Sequence, residues 1–214
     1  MSVIGIDVSH HQGSVAWRGV ARAGVGFAFI KATEGVLTRD PRFGANWNAA
    51  GDAGLLRGAY HFFHPAKPVT AQVEHFCSVT GEFSPGELPP VLDVEETIPK
   101  DEWPAIPRRQ RLALTLEWLR AVEARMGVRP IVYTRKSFAA AMFGRPGALA
   151  AYPLWVAHYT LQPAPVCPDG WRWTFWQYTE CGRVPGVSGN VDMNRFAGSP
   201  AELLSLGGGI AQAA

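Results

Sequence analysis

Leu88-Pro89-Pro90-Val91-Leu92-Asp93-Val94-Glu95-Glu96 (LPPVLDVEE) carries two prolines into an apolar run that ends in three acids within four residues. Side chains of an extended chain alternate between two faces, so Asp93 and Glu95 point to the same side and Glu96 points away. Val91, Leu92 and Val94 supply apolar packing. The stretch therefore predicts a buried strand over Val91–Glu95 that delivers two carboxylates together at its C-terminal end. Glu96 reads as a solvated or loop acid.

The chain around this strand repeats one pattern. Val3–Asp7, Gly26–Thr33, Leu56–Phe62, Val91–Glu95 and Pro130–Thr134 are short runs rich in Val, Ile, Phe and Tyr, and each is followed by a helical pattern. The helices are predicted at Val15–Gly24, from Asp40 (N-cap) and Pro41 to Gly54, at Val69–Thr80, over the Leu112, Leu116, Leu119, Val122 and Met126 stripe, and at Ser137–Phe143. Leu154–Tyr159, Trp173–Thr179 and Val191–Asn194 then read as strands joined by loops. Five βα units followed by three strands imply a mostly parallel sheet, and eight strands suffice to close a barrel. The fold class expected is α/β, an irregular (β/α)5(β)3 barrel resembling a TIM barrel. It forms one domain over residues 1–204, with a loose tail over 205–214.

The acids outside the helices follow the strands. Asp7 ends the first, Glu34 follows the second, Asp93 and Glu95 end the fourth, and Asp192 sits on the eighth. In parallel barrels the C-terminal strand ends form one face, where active sites lie, so these five acids are expected at one mouth. A single strand-end acid is usually a cap or a salt-bridge partner. Five on four strands, with Lys31 as the one obvious basic neighbour, point instead to chemistry. Crowded carboxylates cannot all ionise cheaply, so one keeps its proton near neutral pH beside ionised neighbours. Glycoside hydrolysis requires that pairing. Tyr60, Tyr133, Trp155, Trp176 and Tyr178 lie near strand ends and could wall a sugar groove.

A metal centre competes with this reading, because His10, His11, His61 and His64 also lie near strand ends. None stands in a compact ligand signature such as H-E-x-x-H. His10 and His11 are adjacent in a loop, His61 and His64 read as hydrogen-bonding residues, and neither metal nor cofactor is expected.

Composition bounds the rest. The 214 residues are 47% apolar and 18% charged, which is enough for a sizeable core. A net charge of +2 is too mild to indicate nucleic acid. No apolar run reaches membrane-span length, and Val3–Ile6 is too short for a signal-peptide core. The chain is expected to be made in the cytoplasm and to act after non-classical export or lysis. Of three cysteines, Cys167 and Cys181 flank a predicted strand that holds them roughly 20 Å or more apart, beyond disulfide reach. Three free thiols are expected.

Several motifs together resemble the glycoside hydrolase family 25 lysozymes (N-acetylmuramidases). They are GIDVSHHQG (Gly5–Gly13), FIKATEG (Phe29–Gly35), GAYHF (Gly58–Phe62), the Asp-x-Glu of Leu88–Glu95, PLWVA (Pro153–Ala157), WQY (Trp176–Tyr178) and VPGVSGNVDMNRF (Val184–Phe196). The resemblance implies the same five-plus-three barrel. It also implies cleavage of the β-1,4 bond between N-acetylmuramic acid and N-acetylglucosamine in peptidoglycan. By position, Glu95 is then the general acid, and Asp7, Asp93 and Asp192 complete the acidic site. Tyr60, Tyr133, Trp155 and Gln177 carry over as substrate contacts, grouped with Glu34. The expected partner is the peptidoglycan glycan strand, met by a monomer, with a secretion or holin-type system for delivery. A chitinase-type barrel is the nearer alternative, but Pro90, Val91 and Leu92 stand where its pattern carries further aspartates. A non-catalytic peptidoglycan-binding module is the other, and it would normally have lost one of these acids.

Overall fold

The structure, a computed structural model, describes residues 2–206. In chain order the elements are β1 (Ile4–Val8), α1 (Trp17–Arg22), β2 (Phe27–Glu34), β3 (Thr38–Arg39), α2 (Phe43–Asp52), β4 (Leu56–Phe62) and α3 (Val69–Thr80). They continue with β5 (Val91–Asp93), α4 (Arg108–Met126), β6 (Ile131–Arg135), α5 (Lys136–Met142), β7 (Leu154–Ala157), β8 (Trp173–Gly182), β9 (Val191–Phe196) and α6 (Pro200–Leu206). The sheet runs β1-β9-β8-β7-β6-β5-β4-β2-β3, and a β1–β2 pairing closes it. Eight strands form the barrel, and β3 is a two-residue appendage antiparallel to β2. Neighbours from β1 through β2 and β4 to β8 pair in parallel. β9 alone runs against both its neighbours, β8 and β1.

Alternation along the strands produces two cores. Residues of one parity, such as Ile6, Val8, Ile30, Leu92, Val94, Val132 and Val156, face outward and pack under the helices against Phe76, Trp118, Leu119 and Val122. The other parity fills the barrel with Phe27, Phe29, Val91, Ile131, Trp155, Phe175 and Phe196. Phe29 stacks on Trp155 with ring centroids 4.4 Å apart. α4 ends where expected: Gly127 takes a left-handed conformation (φ 70°), and its N–H donates to the Glu123 carbonyl.

The structure departs from the sequence expectation at three places. Asp40 does not open α2, which begins at Phe43. The Asp40 carboxylate is buried; Oδ1 accepts from the Arg42 N–H (2.9 Å) and Oδ2 from the His10 N–H (2.9 Å), so it ties the first βα loop to the second. The fourth barrel strand stops at Asp93, although the Val94 N–H still reaches the Tyr133 carbonyl (2.9 Å). Ser205 and Leu206, assigned to the tail, complete α6; residues 207–214 of that tail lie outside the described residues. The three cysteines are free, with Cys77 buried and Cys181 exposed. Among the described residues, no helix is long and apolar enough to cross a membrane.

The barrel interior is filled by pairing large with small. Gly5 and Gly58 flank β2 opposite Phe27 and Phe29. A methyl group at Gly5 would overlap the Phe27 ring, and one at Gly58 would come within 2.8 Å of Phe29. Gly5→Ala is expected to destabilise the fold by about 1–3 kcal/mol through overpacking, read from the urea midpoint at unchanged slope.

Candidate active site

The inward-facing parity changes character toward one end of the barrel. Gly5 gives way to Asp7, Gly58 to Tyr60, Val91 to Asp93, Ile131 to Tyr133 and Phe175 to Gln177. Because β9 is reversed, its sequence runs the other way, from Asp192 through Asn194 at the mouth to Phe196 in the apolar layer. Asp7 and Asp192 are direct register partners. Asp192 thus reaches the common mouth from the start of its strand rather than from its end. Asp7, Asp93, Glu95, Asp192, Tyr60, Tyr133, Trp155 and Gln177 together line a cavity of about 90 Å³.

Neutral side chains hold the acids in place. Gln177 Nε2 donates to Asp7 Oδ2 (3.0 Å) and Asp192 Oδ2 (3.2 Å), while its Oε1 accepts from the hydroxyls of Tyr133 (2.9 Å) and Tyr159 (3.0 Å). Asn194 Nδ2 donates to Asp7 Oδ2 (2.8 Å). The Trp155 indole N–H, which can only donate, donates to Asn194 Oδ1 (2.7 Å) and so fixes which way that amide faces. Asn194 and Tyr159 were not singled out from the sequence. Asn194 sits two residues after Asp192, on the same strand face, and that spacing is the signal that could have found it. Asp93 Oδ1 is buried with no hydrogen-bond partner among the described residues.

Burial and mutual repulsion shape the charge of the cluster. Burial pushes Glu95 up to about 7; the neighbouring Glu96 charge adds to the shift, and Arg135 and Lys31 oppose it. Asp192 rises to about 8, through burial and then the charge of Asp7. Burial, followed by the charge of Glu95, holds Asp93 well above the carboxylate range. Burial raises Asp7 as well, while the amides of Asn194 and Gln177 pull it back. The cluster therefore keeps protons at neutral pH that isolated carboxylates would release.

The remaining candidates lie apart. Glu34 does not line the cavity; it accepts from Lys31 Nζ (2.7 Å) and contacts His64 Nε2 (3.1 Å), and the His64 contact holds its carboxyl down at about 2. Trp176 faces outward into the helix-side core, and its N–H donates to the His158 carbonyl (2.7 Å), so it is no groove wall. Glu96 pairs with Arg135. His61 is fully buried between Thr33 Oγ1 (2.8 Å) and Gln72 Oε1 (3.0 Å), and burial lowers it to about 3. Beyond the cavity a groove of about 790 Å³ opens, lined by Glu95, Tyr133, Lys136, Tyr159 and Glu180 among others.

A barrel with clustered carboxylates at its C-terminal mouth, one of them held near pKa 7 beside a groove, defines a glycoside hydrolase. The profile of "Glycosyl hydrolases family 25" matches residues 6–187, and the chain belongs to that family. It is 45% identical to "Lysozyme M1" of Streptomyces globisporus, over 95% of this chain and 71% of that protein. It is 31% identical to an "N,O-diacetylmuramidase" of Arthroderma benhamiae, over 92% and 87%. The crystal structure of a bacterial lysozyme from Streptomyces coelicolor superposes with a TM-score of 0.92 at 43% identity, covering 97% of each chain.

Asp192 allows a test of the electrostatics. Its pKa is raised on folding from 3.8 to about 8, so the folded state holds a proton that the unfolded chain releases. That linkage makes stability fall as pH rises from about 4 through 8. Asp192→Asn removes the titration at constant shape. It is expected to raise Tm at pH 8 and to leave it nearly unchanged at pH 4, as read by calorimetry at both pH values.

Proposed function

We propose that this chain is a muramidase that hydrolyses the β-1,4 bond between N-acetylmuramic acid and N-acetylglucosamine in peptidoglycan, with Glu95 as the general acid. The observation that carries this assignment is position: among the described residues, Glu95 is the one carboxylic acid that lines both the acid-walled cavity and the adjoining groove. A glycan lying along the groove would place its scissile oxygen at that junction. The sugar to be attacked would sit over Asp7, Asp93 and Asp192, and the leaving sugar would sit beside Tyr133 and Tyr159. The lysozyme and muramidase relatives support the substrate class.

In the proposed reaction, Glu95 gives its proton to the glycosidic oxygen as the bond to the anomeric carbon breaks. The acetamido oxygen of the same sugar attacks that carbon from the opposite face and forms a cyclic intermediate. Asp93 orients the acetamido group by accepting from its N–H; the unpartnered Oδ1 is an acceptor waiting for such a donor. Asp7 faces the positive charge that develops at the ring, and Asp192, which keeps its own proton over the range where Glu95 does, supports Asp7 from beside it. Water then adds to the anomeric carbon, Glu95 takes its proton, and the acetamido group is restored. Two displacements retain configuration.

The acid must be protonated, so kcat/KM is expected to fall as pH rises through about 7, where Glu95 titrates. Glu95→Gln should lower turnover of purified peptidoglycan by about 10²-fold or more, and Asp93→Asn should lose most activity. Turbidity clearance by a folded Glu95→Gln variant at near-normal rate would remove Glu95 as the acid. Proton NMR of the first-formed anomer tests the route separately: the β anomer is expected, and the α anomer would overturn the substrate-assisted path.

A further inference from the structure

His64 lies on the loop between β4 and α3, outside the cavity. Its backbone is gripped by the fully buried Gln72: the His64 N–H donates to Gln72 Oε1 (3.0 Å), and its carbonyl accepts from Gln72 Nε2 (2.9 Å). Its ring stands between two carboxylates. Nε2 is 3.1 Å from Glu34 Oε1 at the end of β2, and Nδ1 is 3.0 Å from Glu102 Oε1 on the β5–α4 loop. Each carboxylate is anchored on its far side. Glu34 Oε2 accepts from Lys31 Nζ (2.7 Å), and Glu102 Oε2 accepts from the Ala66 N–H (3.1 Å).

The loop that holds Glu102 also carries Glu95. The Glu102 N–H donates to Thr97 Oγ1 (2.7 Å), and the next residue, Trp103, is wholly buried. The Trp103 indole N–H donates to the backbone carbonyl of Glu95 (2.8 Å). A continuous line of contacts therefore runs from β2 through Glu34, His64, Glu102 and Trp103 to the backbone of Glu95. β5 itself ends at Asp93, so the sheet does not hold Glu95 directly.

We propose that His64 is a positioning residue for Glu95: by bridging Glu34 and Glu102 it fixes the β5–α4 loop against the barrel and so sets where the acid stands. The inference rests on Glu95 being the acid, an assignment that Glu95→Gln tests by itself. Both ring nitrogens face carboxylate oxygens, and a neutral imidazole has only one N–H. The bridge is complete only with the imidazolium. Its charged neighbours are Glu34, Lys31 and Glu102; His61 on β4 stays neutral through burial. The hydrogen bond to Glu34, helped by Glu102, raises the pKa of His64 above its usual value, so the bridge persists to higher pH than a free imidazolium would and is lost as pH rises through that raised pKa.

The test is steady-state kinetics on soluble peptidoglycan fragments with His64→Ala, Glu102→Ala, the double variant and His64→Gln, all checked for folding by urea midpoint. Each alanine variant is expected to lower kcat by about 10- to 100-fold through a displaced acid, with KM within about twofold. The double variant should be no worse than the weaker single, since both remove one bridge. His64→Gln, which keeps one donor, should recover part of the loss. The alkaline limb of log(kcat/KM) should be less steep by one proton in His64→Ala and in Glu102→Ala than in the wild type. If His64→Ala does not fold, Glu102→Ala carries the same kcat and steepness tests. Wild-type kcat, multiplicative losses, or reduced activity with wild-type steepness would each overturn the proposal.

Discussion

A closed barrel gives each strand one row of side chains with no solvent to escape to. Everything at this site follows from that confinement. Apolar residues and glycine fill the row through most of its length, and at the mouth the same row continues as Asp7, Asp93, Tyr60, Tyr133, Gln177, Asn194 and Asp192. The carboxylates are therefore brought together by the geometry that packs the phenylalanines below them. Once together in a poorly hydrated space, they cannot all be charged.

The fold resolves that conflict in two ways. The amide donors of Gln177 and Asn194 reach the oxygens of Asp7, and that of Gln177 also reaches Asp192, without adding charge. Protons satisfy the rest, which is why Glu95 sits near pKa 7. Two nearby cations, Arg135 paired with Glu96 and Lys31 bonded to Glu34, moderate the cluster from outside the cavity instead of neutralising it. Folding stability is spent here to keep an acid protonated, a common exchange at catalytic centres.

Much of this was legible in the sequence because it depends on local periodicity. A period of two along the strands placed Asp93 with Glu95, and the five strand–helix units followed by three strands predicted the barrel. Less legible were features created by contacts distant in the chain. Asp40 reads as a helix cap in its local context, yet His10, thirty residues earlier, claims its carboxylate. Glu34 ends its strand like the other acids, but its partner His64 draws it away from the cavity. Trp176 sits next to Gln177 in a motif that looks uniform, and alternation sends the two to opposite sides of the sheet. The two-residue β3 is too short to leave a periodic trace.

The reversed last strand has a consequence for when the site is complete. Asp7 stands on the first strand of the barrel and Asp192 on the last, side by side only because β9 inserts between β8 and β1. A chain emerging from the ribosome has Asp7, Asp93 and Glu95 long before it has Gln177, Asp192 and Asn194. Until those arrive, Asp7 lacks both amide donors and the barrel has an open seam. The hydrogen-bonded setting of Asp7 is thus completed only when the last strand of the barrel has been made.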